Sequence, residues 1–191
     1  MIIQQLNSYD ETTATRIREL LIQLSRSGRD RGEIPREWFE DLISSPSHDM
    51  LLALDDNDQI VGIATLSIIM GPIVRRVAYL EDFVTDSSVR GQGVGSALWD
   101  AMLAWAKDKG CNNLEFTCGN GREASQQFYK NHGATIYDTN FFRKEIHNKN
   151  PPCFCIRIYH YFYYTINQQK NQYIYFRQHQ LRCLFSHGKK R

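Results

Sequence analysis

Apolar residues recur along the first three quarters of the chain with two different periods. Ala14, Ile17, Leu20, Leu21 and Leu24 fall three or four positions apart, which predicts a helix over 10–25 with one buried face. A second helix is expected over 35–43, with Pro35 in its first turn and Trp38, Phe39, Leu42 and Ile43 on its apolar side. A third, over 96–109, presents Leu98, Met102, Leu103 and Trp105, and a fourth covers 122–131 before Gly133, whose missing β-carbon suits a left-handed cap. Between them lie β-rich stretches at 2–6, at 50–54 and 59–69 around the turn Asp55-Asp56-Asn57-Asp58, at 75–86 and at 112–118. Residues 135–137 and 139–146 read as a closing pair of strands. Helices alternating with strands predict an α/β fold, with helices packed on a mixed sheet.

Composition divides this pattern in two. A chain of 191 residues suffices for one well-buried domain and an appendage. Residues 1–146 carry 15 basic against 21 acidic side chains, whereas 147–191 carry eight basic and no acidic ones. The expected organisation is a domain over 1–146 and a basic, aromatic-rich extension over 147–191 that includes Tyr159, Tyr161, Phe162, Tyr163 and Tyr164. Basic residues interleaved with aromatics can neutralise phosphates and stack bases, so a nucleic-acid role for the extension stands beside its reading as an accessory segment.

Cysteine usage argues against both a disulfide framework and a zinc ribbon. Cys111, Cys118, Cys153, Cys155 and Cys183 are odd in number and contain no Cys-x-x-Cys spacing, and Cys153-x-Cys155 near His160 lacks a second pair of ligands. No metal is assigned. The start Met1-Ile2-Ile3-Gln4-Gln5-Leu6 lacks the basic flank and apolar core of a signal peptide, and no apolar run approaches the length of a membrane span. With reduced cysteines, these features lead to the expectation of a soluble, cytoplasmic protein with no membrane partner.

The densest chemical signal is Arg90-Gly91-Gln92-Gly93-Val94-Gly95, placed between a predicted strand and a predicted helix. Such a turn exposes backbone N–H groups beside the positive end of a helix, an arrangement that suits a phosphate or pyrophosphate, and glycine keeps side chains out of the approach. An ordinary strand-to-helix turn has the same look. A Walker-type loop would require Lys-Ser or Lys-Thr after the last glycine, where Ser96-Ala97 stands. A dinucleotide fingerprint would require a glycine at Ser96 and a turn directly after the strand; Glu115 at the distance of a ribose-binding acid does not restore it.

The arrangement resembles the GNAT superfamily of acetyl-CoA-dependent N-acetyltransferases, whose signature of Arg or Gln, two residues, Gly, one residue, then Gly or Ala is met by Arg90, Gly93 and Gly95. Upstream, Leu80-Glu81-Asp82-Phe83-Val84-Thr85-Asp86 is similar to the family's fourth strand. Downstream, Phe128-Tyr129-Lys130-Asn131-His132-Gly133-Ala134 is similar to its Phe-Tyr-x-x-x-Gly-Phe segment, with Ala134 in place of the usual bulky residue.

The resemblance implies a mostly antiparallel mixed sheet and acetyl-CoA as the acetyl-donating cosubstrate. It also implies direct transfer to a primary amine, expected to be that of a small molecule, in a ternary complex. It implies a splay or bulge in the strand at 82–85 and assigns cofactor binding to the backbone of Phe83, Val84 and Thr85 and to Arg90, Gly91, Gln92, Gly93, Val94, Gly95 and Ser96. Tyr129 takes the place of the phenol that protonates the leaving thiolate, and Glu81 that of the general base. Alternation along a strand implies that Glu81 and Asp82 do not both face one site.

The family's cofactor-binding asparagine falls at Arg122 here, with Asn120 two residues earlier; a guanidinium at 122 can meet a phosphate or an anionic substrate, or stand solvated at the helix start. His132 reads as a helix-end histidine favoured by the dipole. Glu33, Glu37 and Glu40 could attract a cationic amine or form a solvated face. A homodimer remains open, and the competing function is a non-enzymatic acyl-CoA-binding or nucleic-acid-associated module.

Overall fold

The structure is a computed structural model and describes residues 1–146 apart from Arg26 and Val74. The 147–191 extension, with its aromatic run and three of the five cysteines, lies outside the described residues. In chain order the elements are β1 (Ile2–Gln5), α1 (Glu11–Leu24), α2 (Arg36–Ser44), β2 (His48–Leu54), β3 (Ile60–Gly71), β4 (Arg75–Thr85), a 3-10 turn (Ser87–Val89), α3 (Val94–Asp108), β5 (Asn113–Phe116) and α4 (Glu123–Asn131). The five strands form one sheet in the order β1-β2-β3-β4-β5. The first four are antiparallel and β5 joins β4 in parallel, as the long β4-α3-β5 crossover requires. This is the mixed α/β architecture expected from the pattern, with the mostly antiparallel sheet that the resemblance implied.

Alternation in the strands supplies two cores, one on each face of the sheet. Leu51, Ala53, Ala64, Leu66, Ala78 and Leu80 face Leu98, Trp99, Met102 and Trp105 of α3. Met50, Leu52, Leu54 and Ile63 face Ile17 and Leu20 of α1 and Phe39 and Leu42 of α2. Asp10 starts α1 by accepting a 2.8 Å hydrogen bond from the Thr13 N–H, satisfying an otherwise unpaired donor of the first turn.

One irregularity in β4 positions the site. Thr65 of β3 pairs with Asp82 while Leu66 pairs with Leu80, so Glu81 is an extra residue opposite no partner, a β-bulge. The bulge reverses the parity of the strand: Ala78, Leu80 and then Phe83 pack in the α3 core, whereas Val84 packs in the α1–α2 core. The extra residue is what lets Leu80 and Phe83, three positions apart, pack in one core.

The closing pair of strands expected from the sequence is corrected by the structure. Residues 135–137 and 139–146 are without strand structure, and Ile136, Tyr137, Phe142 and Ile146 are 78–88% exposed. β-branched and aromatic residues give a segment strand propensity, but a strand exists only with a backbone partner. Among the described residues β5 pairs with β4 alone.

Candidate active site

Two adjoining cavities open where β4 ends and α3 and α4 begin. The larger, about 850 Å³, is walled by the end of β4 (Phe83, Val84, Thr85), by Val89 and Arg90, by Gly91, Gly93, Gly95 and Ser96, by Asn120 to Arg122, and by Ala124, Ser125, Phe128 and Tyr129 of α4. The end of α1, Gln23 to Ser25, completes it. The smaller, about 230 Å³, holds Glu81, Leu80, Phe116, Thr117, Cys118 and Gly119. Leu24, Phe83, Arg122, Ser125 and Tyr129 border both.

The glycine turn is shaped by conformation. Gly91 and Gly93 hold φ of 77° and 88°, the left-handed region that other residues enter at a cost of about 1–2 kcal/mol. Gly93 is the N-cap of α3 and has no side-chain hydrogen bond. The N–H of Ala97 makes the first bond back into the helix, to Gly93 O at 3.0 Å, so the amides of Val94, Gly95 and Ser96 precede it without an i−4 partner. These donors, the helix dipole and Arg90 on the cleft wall fit a phosphate-bearing ligand. Gly95 serves packing as well, since a β-carbon there would sit 3.4 Å from the Phe128 ring.

Asp86 ties the cradle to α1. Its carboxylate accepts from the Ser88 amide at 2.8 Å and the Ser88 hydroxyl at 2.7 Å, and from Arg16 of α1 at 2.5 Å. These bonds hold it well below the usual carboxylate range, the Ser88 amide contributing most. Gln23 accepts from the Ser87 amide at 2.9 Å, fastening the same corner.

Tyr129 lies among Phe116, Trp99 and Phe83, with ring centroids at 4.4, 5.7 and 6.3 Å. Burial, with Cys118 close by and Arg122 opposing, pushes its hydroxyl up to about 12. At neutral pH it is a proton donor. In the bulge, burial and the neighbouring Glu81 charge push Asp82 up to about 6, with Arg31 opposing.

The structure thus brings together Tyr129, Glu81, Phe83, Val84, Thr85, Arg90, Gly91, Gly93, Gly95, Ser96 and Arg122 around two joined cavities. Gln92 and Val94 are not on the walls: the Gln92 side chain turns back to Ser88 O at 3.3 Å, and Val94 is buried in the α3 core. Arg122 donates to the Leu24 carbonyl at 2.5 Å, which commits part of its guanidinium to the end of α1. Gln23, Leu24 and Ser25 were missed from sequence; nothing local marks residues some sixty positions before the glycine turn. Among the described residues no group of three or more His, Cys, Asp or Glu side chains could hold a metal ion, and no helix is long and apolar enough to cross a membrane.

Fold and site together describe a mixed α/β domain with a glycine turn beside two joined cavities. Residues 14–134 match the model of the acetyltransferase (GNAT) family. The chain belongs to that family, and acetyl transfer is its class of chemistry.

Solved structures agree in fold. An aminoglycoside acetyltransferase from an uncultured soil metagenomic sample, in complex with sisomicin, superposes with a TM-score of 0.67 at 19% identity over 77% of this chain and 96% of its own. The aminoglycoside N-acetyltransferase AAC(6')-Iy in complex with CoA gives 0.62 at 24% over 76% and 95%. A putative acetyltransferase from Agrobacterium tumefaciens gives 0.64 at 21% over 76% and 100%.

Proposed function

We propose that the chain is an N-acetyltransferase that moves an acetyl group from acetyl-CoA to a primary amine of a small molecule by direct transfer. The observation that carries this is the position of Tyr129 on the wall common to both cavities, facing the glycine cradle on one side and the chamber of Glu81 on the other. In this reading the first-turn amides of α3 and Arg90 hold the cofactor's phosphates, and the end of β4 lies along its pantetheine arm. Acetyl-CoA supplies the activated acetyl thioester.

An amine must shed a proton to attack, and Glu81 accepts it, directly or through water. Tyr129, kept protonated by its surroundings, gives a hydrogen to the departing sulfur. The Glu81 carboxyl in the smaller cavity favours a cationic acceptor, and the aminoglycoside acetyltransferases among the structural neighbours make aminoglycosides the first amines to try.

Calorimetry with acetyl-CoA, followed by an amine panel with detection of free thiol, tests the proposal. Binding with amine-dependent thiol release is the expected result. Binding without release from any amine would favour an acyl-CoA-binding module, and absence of binding by folded protein would overturn the proposal.

A further inference from the structure

His132 stands behind the glycine cradle, and its two ring nitrogens have unlike partners. Nδ1 lies 2.8 Å from the Phe128 carbonyl oxygen, which can only accept, so Nδ1 carries a hydrogen. Nε2 lies 3.1 Å from Ser96 Oγ. In the neutral ring Nε2 has no hydrogen, and the Ser96 hydroxyl must donate to it. The imidazole is held in this pose by packing, with its centroid 4.1 Å from the Phe128 ring and 5.8 Å from Trp99. Ser96 belongs to the first turn of α3 and lines the large cleft beside Gly93 and Gly95.

The direction of that bond matters to a phosphate. With its only hydrogen committed to His132, Ser96 presents lone pairs to the cleft, at the point where the helix amides and Arg90 invite an anion. A phosphate oxygen offers lone pairs too, so two acceptors would meet. A second proton on the imidazole reverses the arrangement: Nε2–H donates to Oγ, and the hydroxyl hydrogen is free to turn toward the ligand.

We infer that His132 is a positioning residue for the cofactor's diphosphate, taking up a proton as the phosphates enter and so converting Ser96 from an acceptor to a donor at the cradle. The proton comes from solvent and forms an N–H bond at Nε2, and no bond between heavier atoms is made or broken.

The groups facing the ring fit this coupling. From α3 it meets the Ser96 hydroxyl and the Trp99 ring, and from α4 the Phe128 carbonyl and ring, with Lys130 in the same last turn. Among the described residues no carboxylate pairs with it. Arg90 and Arg122 face the same cleft as Ser96.

The inference rests on the acetyl-CoA reading, and dephospho-CoA separates the two because its diphosphate stays fully ionised across the neutral range. Calorimetry on the full chain, at one pH in two buffers of different ionisation enthalpy, reports protons taken up on binding. Net uptake by the wild type is expected, together with affinity that strengthens by at most about tenfold per unit as pH falls from about 8 to 6.

Ser96→Ala and His132→Gln should both lose the uptake and flatten the pH profile, while Ser96→Thr, which keeps a hydroxyl, should retain them. Thermal melts verify that each variant is folded. Dephospho-CoA binding without proton uptake, or with uptake unchanged in both variants, overturns the role of His132 and leaves the cofactor reading standing. Failure of the folded wild type to bind either dephospho-CoA or acetyl-CoA overturns both.

Discussion

At the scale of single residues, Tyr129 and Asp82 have their protonation set by what surrounds them. Tyr129 keeps its hydrogen because aromatic neighbours exclude water from the charged form. Its proposed work is at the departing sulfur, so Tyr129→Phe should lower kcat by about 100-fold, within the range for a lost general acid, and leave acetyl-CoA affinity nearly unchanged. Steady-state kinetics beside calorimetry checks this, and an unchanged kcat would remove the residue from the chemistry.

Asp82 gives a prediction about stability. Its folded value of about 6 lies above the usual ~3.9, so the native state prefers the protonated form. The stabilisation is fully present below the usual value and is lost as pH rises through about 6. Asp82→Asn, which stays neutral, should melt near the wild-type temperature at about pH 4 and above it at neutral pH. A variant that melts lower than wild type at neutral pH would mean that the ionised carboxylate, drawn by Arg31, is the stabilising form.

At the scale of elements, α3 does two jobs with opposite faces of one helix. Leu98, Met102 and Trp105 bury it against the sheet, and its first turn, preceded by a glycine in place of a capping side chain, leaves amides for a ligand. Gly93→Glu adds strain at a φ of 88° and a negative charge where an anion is expected. It should weaken acetyl-CoA binding at least tenfold, a loss of about 1.4 kcal/mol, while secondary structure persists. Circular dichroism beside calorimetry separates lost binding from lost fold, and unchanged affinity would move the phosphates away from this turn. The β4 bulge is the other element-level device: one inserted residue keeps Leu80 and Phe83 in the α3 core and turns Val84 into the α1–α2 core.

At the scale of the whole molecule, every described residue that lines the two cavities lies within residues 23–129. The match to the acetyltransferase family covers 14–134. A chain ending at residue 146 should therefore bind acetyl-CoA as the full chain does, provided thermal melts show it folded. Calorimetry on the two forms decides, and weaker binding by the folded shorter form would make the basic extension part of the site. Loss of nucleic-acid binding with cofactor binding intact would give the extension a function of its own.

Local signals along the chain were enough for the helices, the first five strands and the glycine turn. Hydrophobic period and turn chemistry act over a few residues, and so does the left-handed preference of glycine met at Gly91, Gly93 and Gly133. Tyr129 and Arg90 were legible because their motifs are contiguous. Tertiary structure alone decided the rest. The resemblance implied a splay or bulge over 82–85, but that Glu81 is the extra residue is a mismatch between two strands and shows only in their register. Gln23 meets the Ser87 amide, and His132 meets Ser96, only because packing closes loops of 64 and 36 residues. Residues 135–146 have the composition of strands but lack strand structure, since pairing depends on a backbone neighbour that composition cannot supply.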